Sequence, residues 1–320
     1  MIKGKDITFV IQGPIVDSTK KSISTLRENF HDCKIIVSTW KNENINDIVA
    51  DNIIMNEDPG PTTISYNRKN KPHTVNINRQ IVSTISGLKT VETKYAVKLR
   101  ADNILNSDNL LSYFDRFNSH RDSEYSIFKK RVITTTHFSK EFTQGLIIPF
   151  FISDFFQFGL TSDLVDLWDI PLFDDYLYNS KIKNKLQHEN MPYKQHHVEQ
   201  KLWLAYISKH HNVTLKDKFG DKKSIYQSYK YMINNLIILG EEELNLVVPQ
   251  RLRHKDNFFS EHFTYRRWHY LYCKNFNLDT HENVLTITKW KLKNIYFFIR
   301  SGARSYIKMR LRLNKSSRQL

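Results

Sequence analysis

Glycine is scarce in this 320-residue chain: there are nine, and no two lie closer than nine positions. That spacing excludes the G-x-G-x-x-G turn of dinucleotide-binding folds and the P-loop of phosphate-binding NTPases. Hydride transfer and P-loop kinase chemistry are therefore set aside. It also leaves no glycine-rich loop to wrap a nucleoside triphosphate, which counts against a sugar-1-phosphate nucleotidyltransferase. Cysteine is scarcer still. Cys33 and Cys273 stand far apart, without metal-ligand spacing, and two cannot make a disulfide framework, a pattern that fits a reducing compartment. No H-E-x-x-H, paired C-x-x-C or G-x-S-x-G occurs. No uncharged apolar run approaches the ~20 residues that span a bilayer. The opening MIKGKDITFVIQG runs directly into an apolar strand without a leader-type segment, so the expected location is the cytoplasm.

What is abundant is positive charge, and it is unevenly placed. Lysine and arginine number 48 against 33 acids, a net of +15. Lys289–Leu320 holds ten of those cations and no acid, which leaves an ordinary +5 on the residues before it. The same segment interleaves Trp290, Phe297, Phe298, Ile299, Ile307 and Leu311 with its cations. Cations mixed with aromatic and aliphatic side chains compose a helix that lies on anionic lipid. The rival readings are a nucleic-acid tail and a solvated basic helix packed on its own domain. A body of only +5 without an RNA- or DNA-binding motif argues for no nucleic-acid partner. The whole chain is 40% hydrophobic and 13% aromatic, enough to bury a core. The expected division is one domain over 1–288 and a basic, amphipathic, membrane-associating tail over 289–320.

Along the first half, strand and helix patterns alternate, which predicts βαβ units and a parallel sheet. Asp6–Gln12, Lys34–Thr39, Asn52–Met55 and Tyr95–Leu99 read as strands. Lys20–Asn29, Val75–Lys89 and Asp108–Phe117 read as helices, and the polar Pro61–Thr74 reads as a loop. Beyond residue 120 the alternation weakens. Thr143–Phe158 is aromatic and apolar with Asp154 embedded in it, and Asp163–Trp168 and Val198–Ser208 read as helices. Glu189–His197 reads as a loop, and Tyr226–Leu239 as a mixed apolar segment. The strand of YAVKLRADNIL ends abruptly in Arg100, Ala101, Asp102 and Asn103. Carboxyl ends of strands are where open α/β sheets bind ligands. An Asp just beyond a strand, flanked by Arg and Asn, suits a divalent ion on a nucleotide diphosphate. The plain alternative is a turn, in which Asp and Asn are common.

Several segments together resemble the WavE family, named for bacterial lipopolysaccharide core synthesis. They are DITFVIQGPI (Asp6–Ile15), KIIVSTW (Lys34–Trp40), NEDPG (Asn56–Gly60), NINRQIVSTISGLK (Asn76–Lys89), KYAVKLRADNIL (Lys94–Leu105), SDFFQFG (Ser153–Gly159) and EQKLW (Glu199–Trp203). They stand in order over roughly residues 5 to 210. The resemblance implies a GT-A-like (Rossmann-like) α/β fold, a mostly parallel central sheet flanked by helices. It further implies a glycosyltransferase that moves sugar from a nucleotide-sugar donor to an oligosaccharide or lipid-linked acceptor of lipopolysaccharide core, O-antigen or capsule. Such an enzyme would sit peripherally on the inner face of the inner membrane. The alternatives are a non-catalytic nucleic-acid-binding protein and the nucleotidyltransferase noted above.

On that reading Glu199 is the first candidate for the base that deprotonates the acceptor hydroxyl, and Asp154 the second. An acid opening a helix is also favoured simply by the helix dipole. Asp102 is expected to hold Mn²⁺ or Mg²⁺, although Arg100 stands where GT-A enzymes carry a first carboxylate. Arg79 and Arg100 offer the alternative of neutralising the diphosphate directly, since guanidinium suits bidentate contact. Gln12, Gly13, Trp40, Glu57 and Asp58 are expected around the nucleoside, Trp40 by stacking, against the plainer roles of turn and rim residues. His196–His197 and His210–His211 read as solvated histidines, and His262 and His269 are not expected to act.

Overall fold

The structure, a computed structural model, describes residues 2–66, 71–117, 119–177, 197–215, 217–253 and 257–316. The apolar run Ile7–Gln12 forms β1, with every residue buried, as in a strand covered on both faces. After α1 (Asp17–Asn29), β2 (Lys34–Trp40) pairs parallel to β1 and β3 (Asn52–Asn56) parallel to β2. A two-stranded hairpin follows, β4 (Thr62–Tyr66) with β5 (Pro72–Val75). The chain then returns through α2 (Ile77–Leu88), whose Ile77, Ile81 and Leu88 are buried. It enters β6 (Tyr95–Arg100) on the other side of β1, again parallel. Growth of the sheet thus reverses between β1 and β6, and the crevice at such a switch point is where open α/β sheets bind ligands.

The second half continues through β7 (Ile104–Leu105), α3 (Leu110–Phe114), β8 (Val132–Thr135) and the small hairpin β9 (Phe142–Thr143)–β10 (Leu146–Ile147). Then come β11 (Phe156–Leu160), α4 (Thr161–Trp168), α5 (Val198–His210), α6 (Lys222–Asn235), β12 (Leu236–Leu239), α7 (Glu241–Leu244) and β13 (Leu246–Val247). The sheet order is β12-β8-β11-β6-β1-β2-β3. β11 is antiparallel to both β6 and β8, and β12 is parallel to β8. Six strands therefore end at one edge and β11 alone runs against them. This is the expected α/β architecture, a mostly parallel central sheet flanked by helices. A single apolar core runs from Ile7 on β1 to Cys273 on α8 (Tyr265–Asn275). The basic segment is helical, α9 (Val284–Phe297) and α10 (Ala303–Ser316) joined through a π-helical turn over Phe298–Gly302. Among the described residues no helix is long and apolar enough to cross a membrane.

Three local expectations change. Pro61–Thr74 is not a plain loop, because Thr62–Tyr66 and Pro72–Val75 pair with each other. The helix expected over Asp108–Phe117 is confined to Leu110–Phe114. Tyr226–Leu239 divides into the end of α6 and the buried strand β12. The loop expected over Glu189–His197 lies, apart from His197, outside the described residues.

Packing of α2 against β1 positions the end of β1. Ser83, fully buried on α2, donates its hydroxyl to Gln12 Oε1 at 2.7 Å. Ser83→Ala leaves that buried oxygen without its partner, and a loss of about 1–3 kcal/mol is expected. Equilibrium denaturation checks this; stability equal to that of the wild type would show that the bond does not hold Gln12.

Candidate active site

The carboxyl ends of β1 and β6 open into a cleft of about 440 Å³ at the switch point, within the size range of small-ligand sites. Gln12 and Gly13 after β1, Trp40 at the end of β2, and Arg79, Arg100 and Asp102 all line it. Gly13 adopts φ +113°, a conformation side-chain-bearing residues avoid, and its N–H bonds to the Ser38 carbonyl at 3.1 Å. The chain can therefore turn off β1 while leaving the strand end open. Of the residues expected around the nucleoside, Gln12, Gly13, Trp40 and Asp58 line this cleft, together with Arg79. Glu57 does not; it is exposed and paired with Lys41.

Each arginine in the cleft is held by a carboxylate. Arg79, at the start of α2, donates to both oxygens of Asp58 at 2.7 and 2.6 Å, and to Asn76 Oδ1 at 2.9 Å. Arg100 donates from Nε and Nη2 to the two oxygens of Asp102 at 2.9 and 2.7 Å. Its guanidinium lies over the Phe155 ring, 4.7 Å from the centroid. Burial by itself would raise the Asp102 carboxyl, but Arg100, and beyond it Arg251, hold it below the ordinary range. Arg251 sits in a short 3₁₀ turn with its Nη2 3.5 Å from Asp102. It is 149 positions away in sequence, so nothing local in the sequence marks it. Both oxygens of Asp102 already accept from Arg100, and no group of three His, Cys, Asp or Glu that could hold a metal occurs among the described residues. Bidentate pairing leaves Nη1 of Arg100 with its two N–H donors outside the Asp102 pair, directed by a fixed plane.

The two expected bases share a second, smaller pocket of about 20 Å³, with Trp168 and Trp203 on its wall. That is room for a single water molecule. Asp154 is 4% exposed, and its Oδ2 has no hydrogen-bond partner. Burial, and then the charge of Asp154, push the Glu199 carboxyl up to about 8. At neutral pH Glu199 thus carries a proton. Lys98 completes the cluster. It is fully buried in the middle of β6, donates its ammonium to the Asp154 backbone carbonyl, and lies 4.8 Å from the Trp168 ring. Burial pulls it down to about 8, against the opposing pull of Asp154. Lys98 and Arg100 alternate onto the same face of β6, so the strand links the cavity to the cleft. A lysine between apolar residues in a central strand was the sequence signal for this cluster, and its meaning lay in the tertiary structure.

The histidines differ in part from expectation. His210 pairs with Asp166 at 2.9 Å and His211 lies 2.6 Å from the Tyr231 hydroxyl, so neither is merely solvated. His196 falls outside the described residues. His269 is 3.6 Å from the Cys273 thiol, on α8. Cys33 and Cys273 are both free and buried.

Fold and cleft together define an open-sheet α/β protein with a cleft at its switch point. The chain belongs to the WavE lipopolysaccharide synthesis family, whose profile matches residues 7–309. The match therefore continues past the expected boundary at 288 and into α10. No curated protein matches the chain in sequence. Among solved structures it is similar to 4-diphosphocytidyl-2C-methyl-D-erythritol synthase from Anaerococcus prevotii, at 11% identity and a TM-score of 0.34 over 71% of this chain and 97% of that one. It is also similar to HddC from Yersinia pseudotuberculosis, at 8% identity and a TM-score of 0.31 over 53% of this chain and 81% of that one.

The Glu199–Asp154 pair predicts a pH dependence. Glu199 titrates at 4.5 when unperturbed and at about 8 in the fold, so between those values the unfolded chain releases a proton that the folded one keeps. Stability from this group is therefore lost as pH rises through that window. Glu199→Gln removes the loss. The variant should melt higher than the wild type by roughly 3 °C or more at the alkaline end, with the gap closing toward pH 4.5. A gap that does not change with pH would mean that Glu199 is not held protonated.

Proposed function

We propose that this protein is a glycosyltransferase that takes sugar from a nucleotide-sugar donor and adds it to a growing, lipid-linked bacterial surface polysaccharide. The observation that carries the reading is the arginine-lined cleft at the switch point of the sheet. Breaking the bond between the sugar and the diphosphate leaves negative charge on the departing nucleotide, and stabilising that charge is the main electrostatic task. Arg79 and Arg100, fixed by Asp58 and Asp102, supply donors to the diphosphate, and the exposed Arg251 closes over them. Gln12 and Gly13 meet the nucleoside, with Trp40 as the ring on which a base or sugar stacks. Mg²⁺ or Mn²⁺, the expected cofactor, would enter with the donor diphosphate, because Arg100 already engages both oxygens of Asp102.

The acceptor hydroxyl loses its proton as its oxygen bonds to the sugar carbon. The Asp154–Glu199 pair is the proton acceptor in this reading. Lys98 beside it keeps the pair's charge balanced. The acceptor is an oligosaccharide or lipid-linked saccharide at the inner face of the inner membrane, where the basic segment of residues 289–320 holds the enzyme. The family supports a place in lipopolysaccharide synthesis; donor, acceptor and membrane face are this reading's own.

The test is calorimetry with nucleoside diphosphates, followed by turnover. Arg100→Lys keeps the charge and removes the planar fork, and should weaken diphosphate affinity roughly tenfold, the cost of one charge-assisted contact. The loss should persist in the presence of a chelator. An unchanged dissociation constant would confine Arg100 to a structural pair with Asp102 and sink the donor assignment. Supplying sugar-1-phosphate and nucleoside triphosphates separates the two transferase classes: release of pyrophosphate would identify a nucleotidyltransferase instead.

A further inference from the structure

We propose that the outer face of α9 and α10, together with the loop tip at Phe258–Phe259, forms one surface that docks on an anionic lipid bilayer. The inference deepens the reading of a lipid-linked acceptor and rests on that reading for its purpose, although not for its physical basis. Leu292, Ile295 and Ile299 are 52%, 55% and 74% exposed, and Ile307 and Leu311 continue the apolar face at 57% and 59%. Phe258 and Phe259, 37% and 56% exposed, belong to a different loop. Their rings nevertheless pack on Tyr296, with centroids 5.9 and 5.2 Å away. Leu292 and Ile299 are the helical neighbours of Tyr296 at i−4 and i+3, so loop and helix make a continuous apolar patch. An isolated exposed aliphatic needs no explanation, but a contiguous patch marks an interaction site.

The occupant follows from charge. Lys289, Lys291, Arg300, Arg304, Lys308 and Arg310 flank the patch, and the chain has no acid from 289 to its end. A second copy of this chain docked face to face through the same patch would bring like charges together. A nucleic acid would satisfy the cations and leave the aliphatic side chains in water. Only a surface that is anionic above an apolar layer satisfies both groups. At 1.5 Å per residue the continuous helix from 284 to 316 is about 50 Å long, and its cations recur along its length. It therefore lies in the interface rather than crossing it.

The surface is packed onto the segment that follows β8. Gly145, at φ +79°, and Gly302 meet backbone to backbone: a Cβ at Gly145 would stand 2.3 Å from Gly302 N, and one at Gly302 would stand 2.5 Å from Gly145 O. Phe142 stacks on Phe297 at 4.8 Å beside that contact. The Phe258–Phe259 loop is fastened to the same region, with Phe263 N bonded to Ser139 O and Glu141 N to Glu261 O. All of these attachments follow the carboxyl end of β8, the edge at which β1 and β6 also end. Docking would therefore present the carboxyl edge of the sheet to saccharide carried on lipid.

Flotation of the full chain with phosphatidylglycerol-containing vesicles and with pure phosphatidylcholine tests this. The wild type should bind the anionic vesicles far better, and added salt should weaken the binding without abolishing it. Phe258→Ser with Phe259→Ser, and separately Ile295→Asn with Ile299→Asn, should each lower the partition coefficient about tenfold or more. Melting temperature and nucleoside-diphosphate affinity should be unchanged in both variants. If both partition like the wild type, or if salt alone removes all binding, the apolar patch does not insert and the proposal fails. Preferential capture of RNA, or a dimer that the isoleucine variant dissolves, would overturn it as well. Loss of donor binding with vesicle binding intact would count against the glycosyltransferase reading alone.

Discussion

The bidentate pair between Arg100 and Asp102 is the constraint on which the cleft depends. It stands where the sheet reverses direction, on a strand with neighbours on both sides. The β1–β6 ladder continues one step past the strand end, with Ala101 N donating to Gln12 O at 2.9 Å. Thr19 Oγ1 then ties the Ala101 carbonyl to α1 at 3.1 Å. The backbone between the two charged residues is therefore fixed from two directions, and the side chains close on each other above it. A partly buried ion pair adds little net stability, because desolvation cancels much of the attraction. What it supplies is orientation. With Phe155 beneath and Asp102 at one edge, the guanidinium has a single plane, and a ligand need not order it on arrival.

Arg131 and Lys98 are two buried cations held in different ways. Arg131 is also fully buried, yet Ile233, Phe117 and His120 all give it backbone carbonyls, and the Tyr272 ring lies 5.0 Å away. It is a satisfied charge that fastens β8 to α8 and α6. Around Lys98 the arrangement is different. Asp154 Oδ2 and Trp203 Nε1 are buried without partners, and Glu199 is driven toward neutral pH by its surroundings. Incompletely satisfied polar clusters are costly. Strongly shifted titrations concentrate where chemistry is done.

How much could be read from sequence follows the range of the interactions involved. β1, β2, β3 and β6 were legible because each is a short apolar run stopped by polar residues, and α2 because its isoleucines recur on one stripe. Those elements alone placed Gln12, Trp40, Asp58, Arg79, Arg100 and Asp102 near one edge. The break between α6 and β12 was not legible, since no glycine or proline marks it. It is made by Asn235, whose side chain accepts from Ile127 N and Phe128 N and donates to Tyr125 O, more than 100 positions away. Arg251 escaped for the same reason. The pairing of Asp154 with Glu199 could be named only as two alternatives, because their shared cavity is built from segments that meet through the fold.

The basic segment shows how one helix can satisfy two readings that sequence alone sets in opposition. Its buried positions are Lys293, Phe297, Gly302, Ser305 and Met309, close to a repeat of every fourth residue. A regular α-helix would carry such a stripe off the body by about 40° for every four residues. The π-turn at Phe298–Gly302 inserts the wider winding that offsets this drift, and it does so at the Gly145–Gly302 contact. One face can therefore stay on the protein along the whole length while the opposite face keeps Leu292, Ile299 and Ile307 in the open. A helix packed on its own domain and a helix offered to a partner surface are then two sides of the same element. The irregular turn is the feature that lets both hold.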